Sequence, residues 1–206
     1  MKQTIKLVGV ILALALCLAA CGGNSKNEVN VPKEYCEELI KLAEDGNAEA
    51  QANLAACYAM GDGITQSTEE AIKWLKKSVE QNNAKGQWYL GGIYEYGSQY
   101  GIPGIKKDHE EAMKWFVKAA KQGEPNAQFE VGHDFYQHGN YEEAFKWFKK
   151  SADQGQLKSV SLLGILYYYG QGVKQDKKKA IGLIKQAAEK GEPTALSALE
   201  IIKADY

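Results

Sequence analysis

The residues best suited to acid–base or metal chemistry are the three histidines of the chain, His109, His133 and His138. His133 and His138 are five residues apart, and side chains at that spacing do not share one face of a helix. With Asp134 they could act as metal ligands, an alternative that stays open. A His-Glu-x-x-His motif, which places two zinc ligands on one helical face, is absent from the sequence. The histidines therefore predict no catalytic centre and no bound metal.

Other motifs that carry chemistry are also missing from the sequence. It has no Gly-x-Ser-x-Gly elbow and none of the Ser-x-x-Lys, Ser-Asp-Asn or Lys-Thr-Gly motifs of penicillin-binding enzymes. Two glycine pairs, in 61–63 and 170–172, could suggest phosphate-binding loops, but no strand precedes them, and we interpret them as turns between helices. We therefore predict a protein that is not an enzyme and needs no cofactor.

One pattern of small and apolar residues occurs four times along the chain. A small residue is followed by Leu or Val four residues later, a small residue five later and an aromatic residue eight later. The Leu or Val position recurs at intervals of 36, 41 and 32 residues, as Leu54, Leu90, Val131 and Leu163. Offsets of four, five and eight share one helix face, and repetition at this interval is typical of helical repeats.

A second helix follows in each copy. Residues that cap helix N-termini stand at one aligned position, as Ser67, Asp108, Asn140 and Asp176. In three copies a glutamate follows three residues later, which is the capping-box spacing. Gly123, Gly155 and Gly191 stand where these helices should end. Each copy is thus a helix–turn–helix unit that needs its neighbours to bury its apolar face.

The repeated phrases resemble the Sel1-like repeat family, which is related to the tetratricopeptide repeat. The resemblance rests on "LGGIYEYG", "AMKWFVKAAKQG" and "LLGILYYYGQGVKQDKKKA" and covers residues 33–206. It implies an all-α fold, a right-handed α-solenoid with half-repeats at both ends. The copies lie near 47–82, 83–123, 124–155 and 156–191, with a partial copy at 192–206, and we refer to the four as copies one to four. Copy two carries an inserted surface loop at 98–103.

The first 20 residues are predicted to be a targeting segment. Lys2 and Lys6 precede an apolar stretch that ends in small residues and is short for a membrane span. Leu18-Ala19-Ala20-Cys21 resembles the bacterial lipobox, which implies cleavage before Cys21, lipidation of its sulfur and a flexible tether over residues 21–32. Gly22 follows instead of aspartate, so the resemblance implies an outer-membrane anchor facing the periplasm. A plain secretory signal is the alternative.

Two further cysteines, Cys36 and Cys57, each lie about ten residues from a predicted turn at Gly46-Asn47. Equal distances from the turn of an antiparallel hairpin place two residues side by side, and exported proteins meet an oxidising environment. We therefore predict a Cys36–Cys57 disulfide. Two buried free thiols are the alternative.

In the related tetratricopeptide family, a concave groove is lined by first-helix residues that lie between the packing positions. The resemblance implies that the groove residues are Trp88, Glu95, Tyr96, Phe129, His133, Tyr136, Gln137, Ile165, Tyr168 and Tyr169. Such an aromatic, charge-poor set is typical of protein interfaces. The alternative is that some of the rings only pack between neighbouring helices.

The charge balance of the chain argues against a nucleic acid as the partner. The 25 basic residues, all lysine, are balanced by 26 acidic ones, whereas nucleic-acid binders carry a basic excess. We therefore predict a monomeric, lipid-anchored envelope protein that binds a protein or peptide as a scaffold or adaptor. Two alternatives are an immunity or inhibitor lipoprotein against a secreted toxin such as a lipase, and a β-lactamase-like or cell-wall-acting enzyme.

Overall fold

The computed structural model describes residues 33–96 and 106–204 of the chain, and within these ranges the regular secondary structure is all α-helix. The helices are α1 Lys33–Glu44, α2 Ala48–Met60, α3 Thr68–Glu80, α4 Ala84–Tyr96, α5 His109–Lys121, α6 Pro125–Gln137, α7 Tyr141–Asp153, α8 Leu157–Tyr169, α9 Lys177–Glu189 and α10 Pro193–Ala204. The predicted all-α helical-repeat fold is confirmed. Its right-handedness stays a prediction.

Three predicted features fall outside the described residues. They are the targeting segment with Cys21, the tether that follows it, and the inserted loop at 98–103. None of the described helices combines the length and the apolar character that crossing a membrane requires.

The described residues form two compact units that divide after Ala112. In the first unit α2 packs against both α1 and α3. In the second unit α6 packs against α7, α8 against α9, and α10 against α9. Helices adjacent in sequence therefore form the hairpins that the repeat pattern predicted.

The second helices begin at the predicted caps. The Asp108 Oδ1 accepts the Glu111 backbone N–H at 3.0 Å, and the Asp176 Oδ1 accepts that of Lys179 at 2.9 Å. Ser67 and Asn140 cap their helices in the same way. Each cap satisfies one of the N–H groups that the first helical turn leaves without a partner.

Each unit has its own apolar core. In the first unit α1, α2 and α3 bury Cys36, Leu39, Ala43, Ala50, Leu54, Ala55, Cys57, Trp74 and Leu75. In the second unit the largest fully buried side chains include Phe148, Leu166 and Ile184. The buried residues come mainly from the repeat's own positions, so those positions serve packing.

In copies three and four, the small residue five positions after the start of the repeat is a glycine, and it lets the two helices of the copy approach closely. A Cβ on Gly132 would lie 2.8 Å from the Phe148 Cδ1 atom. A Cβ on Gly164 would lie 2.6 Å from the Ile184 Cγ1 atom and 3.2 Å from the Ala180 carbonyl oxygen. These separations leave no room for a methyl group without a shift of the partner helix.

Polar side chains connect the two helices of copy one, a feature that the apolar pattern did not predict. The Ser78 hydroxyl donates to the Ala48 carbonyl at 2.7 Å, across 30 residues of sequence. The Gln81 Nε2 donates to the buried Gln51 Oε1 at 2.7 Å. Because an unpaired buried polar group is costly, these bonds fix the register between helices.

Cys36 on α1 and Cys57 on α2 are neighbouring buried thiols, 3 % and 0 % exposed, and both are free in the structure. Their side chains interact, and the Cys36 Sγ also lies 3.7 Å from the Asp62 carbonyl oxygen. Burial raises the pKa of both thiols, that of Cys57 to about 12. Both are therefore protonated at neutral pH. The hairpin argument placed the pair side by side, and the disulfide itself stays a prediction.

Replacement of Gly164 by alanine should destabilise the second unit by about 1–3 kcal/mol, because the methyl group overfills the contact with α9. Gly182→Ala is the matched control, since nothing lies within 4 Å of the added Cβ. It should raise stability by up to about 1 kcal/mol, the gain in helix propensity. Urea unfolding monitored by circular dichroism measures both. Equal effects of the two substitutions would contradict the close approach.

Thiol titration of the denatured mature protein should find neither Cys36 nor Cys57 free before reduction and both free after it. The disulfide would contribute about 3 kcal/mol through the loop it closes. In the folded, reduced protein both thiols should react with Ellman's reagent more slowly than free cysteine, because burial raises their pKa values and little thiolate forms. Two free thiols in the unreduced sample would rule out the disulfide.

Candidate partner-binding surface

The ten predicted groove residues differ widely in their exposure to solvent. Trp88 and Tyr168 are buried, at 7 % and 5 % exposure. The other eight can be reached from solvent: Glu95, Tyr96, Phe129, His133, Tyr136 and Ile165 are half-buried, and Gln137 and Tyr169 are exposed.

For Trp88 and Tyr168 the prediction of a partner-binding role is corrected to a packing role. Tyr168 belongs to the core cluster that contains Val160 and Ile184. Trp88 lies against the Tyr89 ring, with 4.8 Å between centroids. A position on a helical wheel gives the direction of a side chain, but burial depends on how near the surrounding elements come.

In the first unit the groove position Glu95 already has partners. Its carboxylate lies 2.6 Å from the His109 Nδ1 and 3.2 Å from the Lys107 Nζ. Glu95 therefore connects the end of α4 to the start of α5. The His109 side chain is half exposed and makes this contact through its Nδ1 atom.

In the second unit α6 presents a stacked set of rings. Phe129 and His133 lie one turn apart and stack, with 5.7 Å between centroids and 18° between planes. Phe129 also contacts the fully buried Phe148, at 6.0 Å between centroids, and Tyr136 contacts the same ring at 6.3 Å. The buried Phe148 thus fixes the positions of the half-buried rings above it.

Tyr169 extends this surface to α8. It is 58 % exposed, and it packs edge-on against Tyr168 with 5.2 Å between centroids. Burial raises the pKa of Tyr136, and the nearby hydroxyls of Tyr141 and Tyr169 act in the same direction. We call Phe129, His133, Tyr136, Gln137 and Tyr169 the aromatic surface.

His133 is a neutral member of this surface. Burial lowers its pKa, Lys158 acts in the same direction, and Asp134 opposes both. The neutral Nε2 accepts a hydrogen bond from the Gln137 side-chain amide at 3.1 Å. His133 is thus an aromatic ring with its polar atom already paired.

His138 makes a separate set of contacts at the end of α6. Its Nδ1 lies 2.8 Å from the Asp134 carbonyl oxygen and 3.4 Å from the Asp134 carboxylate. No group of three or more His, Cys, Asp or Glu side chains that could hold a metal occurs in the part of the chain that the structure describes. The two histidines therefore do not converge on one site with Asp134.

A repeated contact on the second helices was missed in the sequence. A lysine three residues after each tryptophan lies over its ring: Lys77 at 4.1 Å from Trp74, Lys118 at 3.9 Å from Trp115, and Lys150 at 4.4 Å from Trp147. Residues three apart on a helix are neighbours, so the Trp-x-x-Lys spacing was the available signal. A cation–π contact of this kind at an exposed site contributes about 0.5–1 kcal/mol.

The chain matches known proteins along most of its length. The model of the Sel1 repeat matches residues 48–83, 84–124, 125–156 and 158–192. A Sel1 repeat protein from Oxalobacter formigenes is similar in structure, with a TM-score of 0.67, 30 % identity, and coverage of 93 % of this chain and 76 % of that one. An immunity protein from Pseudomonas aeruginosa has the same fold, with a TM-score of 0.61, 23 % identity, and coverage of 89 % and 67 %.

A sel1-like repeat-containing protein of Acanthamoeba polyphaga mimivirus is 32 % identical over 76 residues, which are 37 % of this chain and 14 % of that protein. The matched part thus spans about a seventh of the length of the curated relatives. The family model, in contrast, covers four consecutive repeats and more than half of the chain. This chain belongs to the Sel1 repeat family.

Proposed function

We propose that this protein is a lipid-anchored component of a bacterial envelope that binds a protein partner through the aromatic surface, as a scaffold or adaptor. The observation that carries the proposal is the set of rings on α6 and α8 that reach solvent, with Phe129 and Tyr136 packed on the buried Phe148 and Tyr169 packed on the buried Tyr168. Interfaces concentrate their binding energy in aromatic side chains of this kind.

Pre-positioned rings favour binding for an energetic reason. Ordering a free side chain on binding costs about 0.5–1.5 kcal/mol. Phe129, His133 and Tyr136 are already held by ring contacts and by the Gln137 hydrogen bond. More of the contact energy can therefore appear as affinity.

The surface is suited to recognition rather than to turnover. His133 is neutral, and its Nε2 is occupied by Gln137. The rings offer apolar faces, and Gln137 offers polar atoms at their edge. We propose that the protein acts by holding its partner and performs no reaction itself.

The anchoring part of the proposal rests on the sequence alone. The residues Leu18-Ala19-Ala20 before Cys21 resemble a lipobox, and Gly22 would direct the lipoprotein to the outer membrane. Two or more acyl chains on Cys21 would hold the protein stably at a membrane. The repeats would then face the periplasm.

A second candidate function is toxin immunity, which the structural likeness to the Pseudomonas aeruginosa immunity protein favours. In this version the partner is a secreted toxin, such as a lipase, and binding blocks it. Co-expression with the product of a neighbouring toxin gene separates the two versions. Rescue of growth supports immunity, and continued killing supports the scaffold.

Removal of either of two rings of the aromatic surface, Tyr169 or His133, should weaken partner binding. We expect Tyr169→Ala and His133→Ala each to lower affinity about tenfold, because truncation of a hot-spot residue costs more than 1 kcal/mol. The partner is captured from detergent-solubilised envelope, identified by mass spectrometry and then measured by calorimetry. Leu42→Ala, which truncates an exposed apolar residue of the first unit, is the control. Unchanged affinity in both variants would contradict the proposal.

Replacement of Cys21 by serine should release the protein from the membrane fraction, because the sulfur that carries the lipid is lost. Intact-mass measurement of the wild-type mature protein should show the added acyl chains, and the variant should lack them. Cys36→Ser is the control and should leave the protein membrane-bound. A wild-type protein found in the soluble fraction without added mass would refute the anchor.

A further inference from the structure

The turns that join the two helices of copies one and four, residues 61–67 and 170–176, have the same backbone conformation. The first and third residues of each turn are glycines with φ between 65° and 73°, in the left-handed region. The sixth residue of each is a glutamine, Gln66 or Gln175, whose side chain donates to a carbonyl near the end of the preceding helix, at 2.9 and 2.7 Å. The seventh residue caps the next helix in both.

Residues 61–70 and 170–179, which include these turns and the first helical turn after each, carry opposite net charge. At four aligned positions copy one has Thr65, Thr68, Glu69 and Glu70, and copy four has Lys174, Lys177, Lys178 and Lys179. Copies two and three also place two glutamates in the first turn of the second helix. Copy one forms the same turn without lysines at these positions, so the conformation of the turn does not require the lysines of copy four.

The lysines also work against helix stability. A helix N-terminus carries a partial positive charge, and a cation in the first turn is unfavourable by about 0.3–1 kcal/mol. In copy four, Lys177, Lys178 and Lys179 occupy the first turn of α9, and Asp176 at the N-cap is the adjacent acidic residue. The Asp176 Oδ1 is occupied by the Lys179 backbone N–H. An advantage other than folding is therefore needed to account for them.

Lys174, Lys177 and Lys178 are exposed, and none of them forms an ion pair within the described ranges 33–96 and 106–204. We call these three residues the lysine edge. Lys179 differs, because its Nζ donates to the Tyr167 hydroxyl at 2.8 Å and lies over that ring. The lysine edge thus offers three positive charges that no carboxylate of the described chain neutralises.

The lysine edge adjoins the aromatic surface. The Lys177 Nζ lies 5.0 Å from the centroid of Tyr168, and Tyr168 packs edge-on against Tyr169. A ligand that contacts the Tyr169 ring is therefore one ring away from Lys177. Cations and an exposed ring at this distance suit a segment that combines carboxylates with an apolar side chain.

We propose that the lysine edge binds an acidic segment of the protein partner, with an apolar side chain of that segment on Tyr169. The inference rests on the proposed function and specifies the chemistry of its partner. Charge complementarity favours acidic side chains, and the exposed ring favours a protein over a bare anionic surface. Ammonium groups bind as point charges, so the segment needs carboxylate density rather than one bidentate group.

The test uses two labelled nine-residue peptides, one of eight glutamates around a central tryptophan and one with glutamines in place of the glutamates. Fluorescence anisotropy measures binding to the mature protein at low and physiological salt. We expect binding of the acidic peptide only, weakening as salt rises because exposed charges are screened. The combined variant Lys174→Gln, Lys177→Gln, Lys178→Gln should bind it at least tenfold more weakly.

The matched control removes three exposed lysines elsewhere, through Lys76→Gln, Lys121→Gln and Lys185→Gln, and should bind within twofold of the wild type. A second variant, with Lys174→Thr, Lys177→Thr and Lys178→Glu, adopts residues with which copy one forms the same turn. It keeps the fold while it removes the charge, and it should also lose binding. Circular dichroism verifies folding of each variant.

Equal binding by the lysine-edge variant and the control would overturn the inference, because it would show that overall charge alone is responsible. Binding to vesicles that contain phosphatidylglycerol, without binding of the acidic peptide, would also overturn it in favour of a membrane. The captured partner distinguishes the two proposals. If it is lost by Tyr169→Ala but retained by the lysine-edge variant, the proposed function holds and this inference fails.

Discussion

The contact on which the rest of the second unit depends is the close approach of the two helices within copies three and four. Gly132 and Gly164 present no side chain where Phe148 and Ile184 of the following helix arrive, so the helices meet with backbone against side chain. This contact sets the distance within the hairpin, and the hydrogen bonds of the buried Ser78 and Gln51 side chains set the register between the two helices of copy one. Dense packing at small residues makes each of these distances sensitive to one methyl group.

Once the hairpins are fixed, the same contact decides which first-helix residues remain accessible. The fully buried Phe148 supports Phe129 and Tyr136, whose outer faces stay half exposed. Of the two neighbouring groove residues on α8, Tyr168 is buried in the core, whereas Tyr169 is exposed at the surface. Packing of the helices thus decides which positions of the aromatic surface are exposed. The residues at these exposed positions can vary without loss of the fold, so repeats of one fold can bind different partners.

Charge varies independently of this framework. Copies one and four share the turn geometry, although the net charge of residues 61–70 and 170–179 is opposite. The repeat therefore separates two tasks: glycine, glutamine and capping residues hold the backbone, and the remaining positions are available for recognition. The cysteines belong to the first task, because Cys36 and Cys57 lie in the core between α1 and α2 with pKa values that burial raises.

The sequence by itself determined the helices, their caps and their pairing. These features are local: they depend on the period of the apolar residues, on capping residues such as Asp108 and on small residues such as Gly164. Spacing over a few residues is therefore enough to recognise them. The tertiary structure decided the burial of Trp88 and Tyr168, the pairing of Glu95 with His109 and the grouping of Tyr136 with Tyr169. These depend on the distance between elements far apart in the chain, which a helical wheel does not contain. The partner-binding surface therefore emerges only when the packed helices leave some rings uncovered.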